Sequence, residues 1–276
     1  MTDIFLDTAP RQAVQTRTGV DHATRAWFII AALGHWLFLA YILAVFYPPI
    51  AEHGLSGLEG MHLPSGFVEG DTAGNVAAVA HVLLAAIIIG GGPLQLVPAI
   101  RRRWPRFHRI LGRSYLVAAV ISAVGGLWMV WTRGTVGNLI NHIGISLDGV
   151  LILVFSGLAL YHAMARRIST HRRFALRLFM VASAVWFFRV GLMAWVMMTG
   201  GWGIDFETFT GPFIWTLGFA QYLVPLAMLE WYFRLQAGKG TRGEAITYTT
   251  VLVALTGLMA LGIFAATMGL WLPRMG

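Results

Sequence analysis

The chain has 276 residues, 57% of them hydrophobic and 12% charged, with a formal net charge of +8 and a mean hydropathy of +0.69. Soluble proteins are about 25% charged, so this is the composition of a solute of lipid; its basic residues sit in short loops between apolar segments, where anionic headgroups rather than nucleic acid are the expected partner. Cysteine is absent, which excludes disulfides, iron–sulfur clusters, covalently attached c-type haem and any cysteine nucleophile.

In chain order, residues 1–24 are polar, include Arg11 and Arg17, and read as a cytoplasmic N-terminal segment. The apolar run that follows is long enough to cross a bilayer and has no small-residue cleavage site behind it, so it reads as a retained helix. Residues 25–276 then form one membrane domain with spans at 25–47, 75–98, 106–131, 138–164, 171–199, 212–235 and 246–272. Turn formers bound them, such as Pro48-Pro49, Trp104-Pro105 and Gly200-Gly201. The expected fold is an all-α integral membrane protein with seven transmembrane helices, the second to fifth forming a core four-helix bundle. The Gly-rich loop at 48–74 is placed to cap one mouth of that bundle.

Every Lys and Arg except Arg133, Arg189 and Arg274 falls in the N-terminus, in the 99–109, 165–173 and 236–245 loops, or on the adjoining helix ends. By the positive-inside rule the N-terminus is cytoplasmic and the C-terminus outside, in a bacterial inner membrane. Trp27, Trp104, Trp231 and Tyr232 mark the inner interface; Tyr47, Trp128, Trp131, Trp195, Trp215 and Trp271 mark the outer one. Trp36 and Trp186 lie deeper and need a protein or cofactor neighbour. Gly90-Gly91-Gly92-Pro93 in the second span allows either close packing with a kink or room for a flat ligand.

Ionisable groups inside spans face partners or cavities. Asp148 and Arg189 each lie about ten residues in from the outer ends of neighbouring antiparallel spans, which predicts a buried pair at one level. Such a pair serves equally as a helix clamp or as a relay group. Glu230 is level with Arg177 and Arg113 near the inner surface and is expected to pair there. His35 lies mid-span, where a backbone carbonyl is its expected partner.

Four further histidines carry the chemistry. His81 and His142 lie toward the outer ends of the second and fourth spans, and His108 and His171 at the inner ends of the third and fifth. Diagonal pairing in the bundle would set one imidazole couple near each face. Two imidazoles and no covalent link suit b-type haem, with Arg109, Arg172 and Arg173 placed to hold its propionates.

The strings Gly92-Pro93-Leu94-Gln95, Arg101 and Phe107-His108-Arg109-Ile110-Leu111-Gly112-Arg113-Ser114-Tyr115 resemble a bacterial membrane family known as domain of unknown function 2306. His171-Arg172-Arg173-Phe174-Ala175-Leu176-Arg177 and Arg189 resemble its second signature, so the likeness covers roughly residues 75–195. It implies a topology and no reaction. His108 and Gly112 also resemble the His-x-x-x-Gly motif of cytochrome b-561-type diheme proteins. That likeness implies His81 with His142 and His108 with His171 as axial ligand pairs.

The leading expectation is a haem-b electron-transfer protein, with quinone as one possible redox partner. The alternatives are a proton-coupled transporter relaying through Asp148, Arg189 and His35, and an accessory subunit without chemistry. No G-x-S-x-G, P-loop or H-E-x-x-H motif points to a hydrolase or a phosphate-binding enzyme.

Overall fold

The structure, a computed structural model, describes residues 8–61, 63, 66–134 and 136–275, with side chains from Thr18 onward. The described chain is built from helices: α1 (Thr8–Val45), α2 (Tyr47–His53), α3 (Thr72–Leu96), α4 (Pro98–Arg103) and α5 (Pro105–Thr132). Then follow α6 (Leu139–Met164), α7 (Ile168–Ala182), α8 (Ala184–Thr199), α9 (Pro212–Gln236) and α10 (Arg242–Ala266). Among the described residues six stretches are long and apolar enough to cross a membrane, and α7 with α8 makes a seventh if their bent pair is one span.

Local chemistry sets the boundaries. Asp71 caps α3 by accepting from the Gly74 amide at 2.9 Å, and its other oxygen takes the Arg133 guanidinium at 2.9 Å, tying α3 to the end of α5. Asn138 and Asn141 form a capping box at the start of α6, as Thr241 and Glu244 do for α10. Gly200 stops α8 in the left-handed region at φ 68°.

Two outcomes differ from the sequence reading. Helix α1 begins by Thr8 and is continuous across the expected boundary at residue 24; residues 1–7 of the expected N-terminal segment lie outside the described residues. Val20 and Ala23 are buried against Tyr248 and Leu252 of α10, so this polar stretch has an apolar stripe with a partner. The fifth span is two helices bent by 48° at Ser183.

Helices α3, α5, α6 and α7 pack in sequence, each against the next, and α9 lies against α6, α7 and α8. Helix α10 packs between α1 and α8, and α1 also touches α3. One core gathers Phe38, Tyr41, Trp186, Ile263 and Trp271, and a second gathers Ile88, Tyr115, Leu178 and Tyr222. Close approach in the first depends on glycine: a Cβ on Gly262 would strike the Val190 carbonyl, and one on Gly34 would overlap Trp186 Cζ2 at 2.6 Å. Lipid gives apolar helices little reason to associate, so this contact packing holds α1, α8 and α10 together. Contacts of Gln95 with His108, of Ala159 with His171 and of Arg234 with Glu244 gather the arginine-rich turns at one end of the helices, the basic end.

Candidate functional site

The third and fifth spans, α5 and α7, both begin at the basic end, each tied there to a neighbouring helix. Gln95 Nε2 donates to the His108 carbonyl at 3.1 Å, tying the end of α3 to the first turn of α5. His171, in the first turn of α7, sets its Nδ1 at 2.8 Å from the Ala159 carbonyl of α6. A carbonyl only accepts, so this nitrogen carries the hydrogen, and in the neutral ring Nε2 keeps its lone pair. The Nδ1 of His108 is buried and has no partner in the protein. The His171 ring and the Arg101 guanidinium both lie within electrostatic range of it.

Register agrees with this proximity. Gln95 reaches His108, and Gly92 rests against Phe179. Counting back along the antiparallel helices puts His108 level with about residue 176 of α7, roughly 7–8 Å along the axis from the level of His171. The inner histidines thus stand within electrostatic range of each other at the basic end. Arg101 of α4 lies within electrostatic range of His108. Arg109 and Arg172 are exposed, while Arg173 lies over the Phe233 ring at 4.6 Å, directed toward α9. That corrects the placement of Arg173 beside the histidine pair: the apolar face of α9 claims its stem and guanidinium together.

The outer pair is not brought together. His81 Nδ1 is 3.3 Å from the Ser122 carbonyl of α5, and its ring lies beside Gly126. Leu127 of α5 packs on Gly149 of α6, which sets His81 level with about residues 150–154 and leaves His142 roughly 12–18 Å away along the axis. His142 sits in the first turn of α6, edge-on to Trp131 at 6.1 Å. The pairing fails because His81 lies roughly two to three turns deeper than His142, a difference that one iron cannot bridge.

The expected Asp148–Arg189 pair is also absent. Arg189 donates to the Val185 carbonyl at 3.3 Å, stands 5.3 Å from the Phe38 ring centroid, and lies within electrostatic range of His81 and Tyr41. Asp148 lies within range of Tyr222 on α9. Depth along a helix was matched correctly, but azimuth was not: α8, bent away at Ser183, turns Arg189 toward α1 while Asp148 turns toward α9.

Other expectations hold in detail. His35 is fully buried, with Nδ1 at 2.7 Å from the Ala31 carbonyl. Its Nε2 accepts from the Ser183 hydroxyl at 3.0 Å, where the α7–α8 bend occurs. Its ring lies against Trp186 at 4.0 Å, and Trp186 donates to the Gly34 carbonyl at 3.3 Å. With both nitrogens occupied, His35 braces the bend. Glu230 takes Arg177 in two bonds, at 2.7 and 2.9 Å. The triple glycine serves packing: Gly90 receives Leu39, Gly91 receives Leu111, and Gly92 receives Phe179 and Tyr115.

Sequence reasoning missed the aromatic surround of Arg189, where Phe38 and Tyr41 both pack on Trp271; the signal was their i, i+3 spacing on α1. It also missed a surface cavity of about 710 Å³ lined by Arg103, Trp104, Pro105, Arg106 and Phe107, next to His108 in the chain. Among the described residues no group of three or more His, Asp or Glu could hold a metal ion, so any metal here needs most of its ligands from a cofactor.

Residues 78–226, just over half of the chain, match the model of a family described as a predicted membrane protein, DUF2306. The matched stretch includes all four paired histidines, Asp148 and Arg189. No curated protein and no solved structure matches the chain.

Proposed function

The chain belongs to the DUF2306 family of predicted membrane proteins, and from the geometry of its basic end we propose that it is a membrane electron-transfer protein holding one b-type haem between His108 and His171. The observation that carries this reading is the approach of two imidazoles from different helices, one with an orphaned buried nitrogen and one with its Nδ1 already engaged. A ligating histidine usually gives its other N–H to a backbone carbonyl, as His171 does to Ala159. That bond fixes the tautomer and aims Nε2 at the metal. The donor set is nitrogen alone, matching a haem that needs no covalent attachment.

In the proposed orientation the basic end faces the cytoplasm of a bacterial inner membrane, and the C-terminus lies outside. The core bundle is α3, α5, α6 and the α7–α8 pair. Arg101 supplies positive charge for propionates at the His108 side. Haem would supply reversible one-electron chemistry; the chain's residues hold it, set its charge environment and limit water. The cavity at Arg103–Phe107, apolar in lining and at headgroup level, offers an approach for a lipid-soluble redox partner of the quinone class.

Haem content of the purified protein, measured as the pyridine haemochrome after expression with ample haem precursor, tests the reading. Wild type and His142→Ala should each carry about one haem per chain. His108→Ala and His171→Ala should lose most of it while still eluting as folded protein. Haem-free wild type, or full haem in His171→Ala, would overturn the assignment and favour an accessory subunit.

A further inference from the structure

The core between α5, α6 and α9 holds buried polar groups that a haem at the basic end leaves unused. Asp148 is 7% exposed and Tyr222 0%, yet Asp148 Oδ1 and the Tyr222 hydroxyl have no hydrogen-bond partner in the protein. The two lie within electrostatic range of each other. Among the described residues no Lys, Arg or His comes within ion-pair distance of Asp148. An acid placed this way in a bilayer marks a proton or ion path by default.

The set continues in both directions. Toward the basic end, Ser122 (8% exposed), Ser156 (3%) and Tyr115 (6%) present hydroxyls without protein partners. Toward the far end stands His142 Nε2, in the same condition. Packing register orders these groups along the axis. Gly144 of α6 rests on the Gly218 carbonyl of α9, and Gly149 on Leu127 of α5. Tyr222 is therefore level with Asp148, and Ser156 nearly level with Ser122. Successive groups are separated by about 10 Å of helix rise or less, an interval that side chains and one or two waters can bridge.

There is also room for water. Gly218 is buried, and a Cβ placed on it would meet nothing within 4 Å. This space lies one helical turn from Asp148 and Tyr222, beside the buried Gln221 amide that donates to the Gly218 carbonyl at 2.7 Å. Buried polar groups are satisfied by protein or by ordered water, and here water is the partner with space to enter. The charged neighbours on the adjoining elements are His81 of α3, which reaches the Ser122 carbonyl, and Arg189 of α8 beside it.

We propose that this file is a proton path, in which Asp148, backed by Tyr222, takes a proton from water at the far end and passes it by way of Ser122 and Ser156 toward Tyr115 and the basic end. Each hop moves one proton from an oxygen or nitrogen to the lone pair of the next, and each group returns to its starting protonation state once the proton has passed. No bond between heavy atoms changes, and one positive charge crosses per proton. The path stands on the buried groups alone and does not depend on haem.

Full-length protein reconstituted into vesicles containing pyranine, with a potassium diffusion potential set by valinomycin, tests it. Internal pH should fall at least about ten-fold faster than in protein-free vesicles. Asp148→Asn should return the rate to the protein-free level, Tyr222→Phe should slow it several-fold, and His53→Ala, an exposed control, should leave it unchanged. Gly218→Leu fills the space without removing the acid and should abolish most of the flux, so the test survives even if Asp148→Asn fails to fold. Wild-type flux no faster than empty vesicles, or undiminished flux in a folded Asp148→Asn or Gly218→Leu protein, overturns the proposal.

Discussion

Gly257 and Gly262 lie less than two turns apart on α10, and the same substitution to alanine should affect them oppositely. Gly257 has nothing within 4 Å of an added Cβ, whereas at Gly262 that atom would strike the Val190 carbonyl oxygen and sit 2.8 Å from Val190 Cγ1. Both changes gain about 1 kcal/mol of helix propensity. Only the second forces α8 and α10 apart, and because the obstacle is backbone no rotamer change relieves it. Overpacking of this kind costs about 1–3 kcal/mol. Propensity cancels between the two variants, so the overpacking cost is the whole of their difference. At about 2–4 °C per kcal/mol for a chain of this size, Gly262→Ala should unfold roughly 2–12 °C below Gly257→Ala. Thermal unfolding of detergent-purified protein, followed by tryptophan fluorescence, reads this directly. Equal midpoints would mean that Val190 does not lie against α10, and the packing of α1, α8 and α10 described above would be wrong.

The Arg177–Glu230 pair makes two bonds, with the guanidinium side chain 16% exposed and the carboxylate 47%. A double-mutant cycle with Arg177→Gln and Glu230→Gln should give a coupling of about 1–2 kcal/mol, reduced by the open carboxylate, and zero coupling would refute the pair. In the loop after α8, the Thr208 side chain and the Thr208 and Glu207 amides bond to Asp205 and hold its carboxyl below the usual range. Because the folded value is the lower one, the turn is fully supported above the ordinary carboxylate range and loosens as pH falls through the depressed value. Amide resonances of Glu207 and Thr208 should titrate below the ordinary Asp value of about 3.9, and titration at or above it would contradict this.

Hydropathy and turn chemistry made the spans legible, because length and apolarity alone decide whether a segment can cross a bilayer. What they could not deliver was the rotation of each helix about its axis. Glu230 found Arg177 because both are long-reaching groups near a helix end, where azimuth matters little. Asp148 and Arg189 matched in depth and still turned to different neighbours. His81 and His142 failed on register, since counting from helix ends ignores how far α3 and α6 are offset against α5. The bend at Ser183 carried one signal, a lone serine in an apolar run, but its partner His35 lies far away in sequence and only packing joins them. That His108 and His171 share the basic end was legible because both occupy the first turn of helices that start there.

The dithionite-reduced minus oxidised absorption spectrum of the purified wild-type protein tests most directly whether those two rings hold an iron. A sharp Soret shift with resolved low-spin α and β bands, lost together in His108→Ala and His171→Ala, is the predicted result. A spectrum with no Soret band from protein produced with ample haem precursor would contradict the electron-transfer reading.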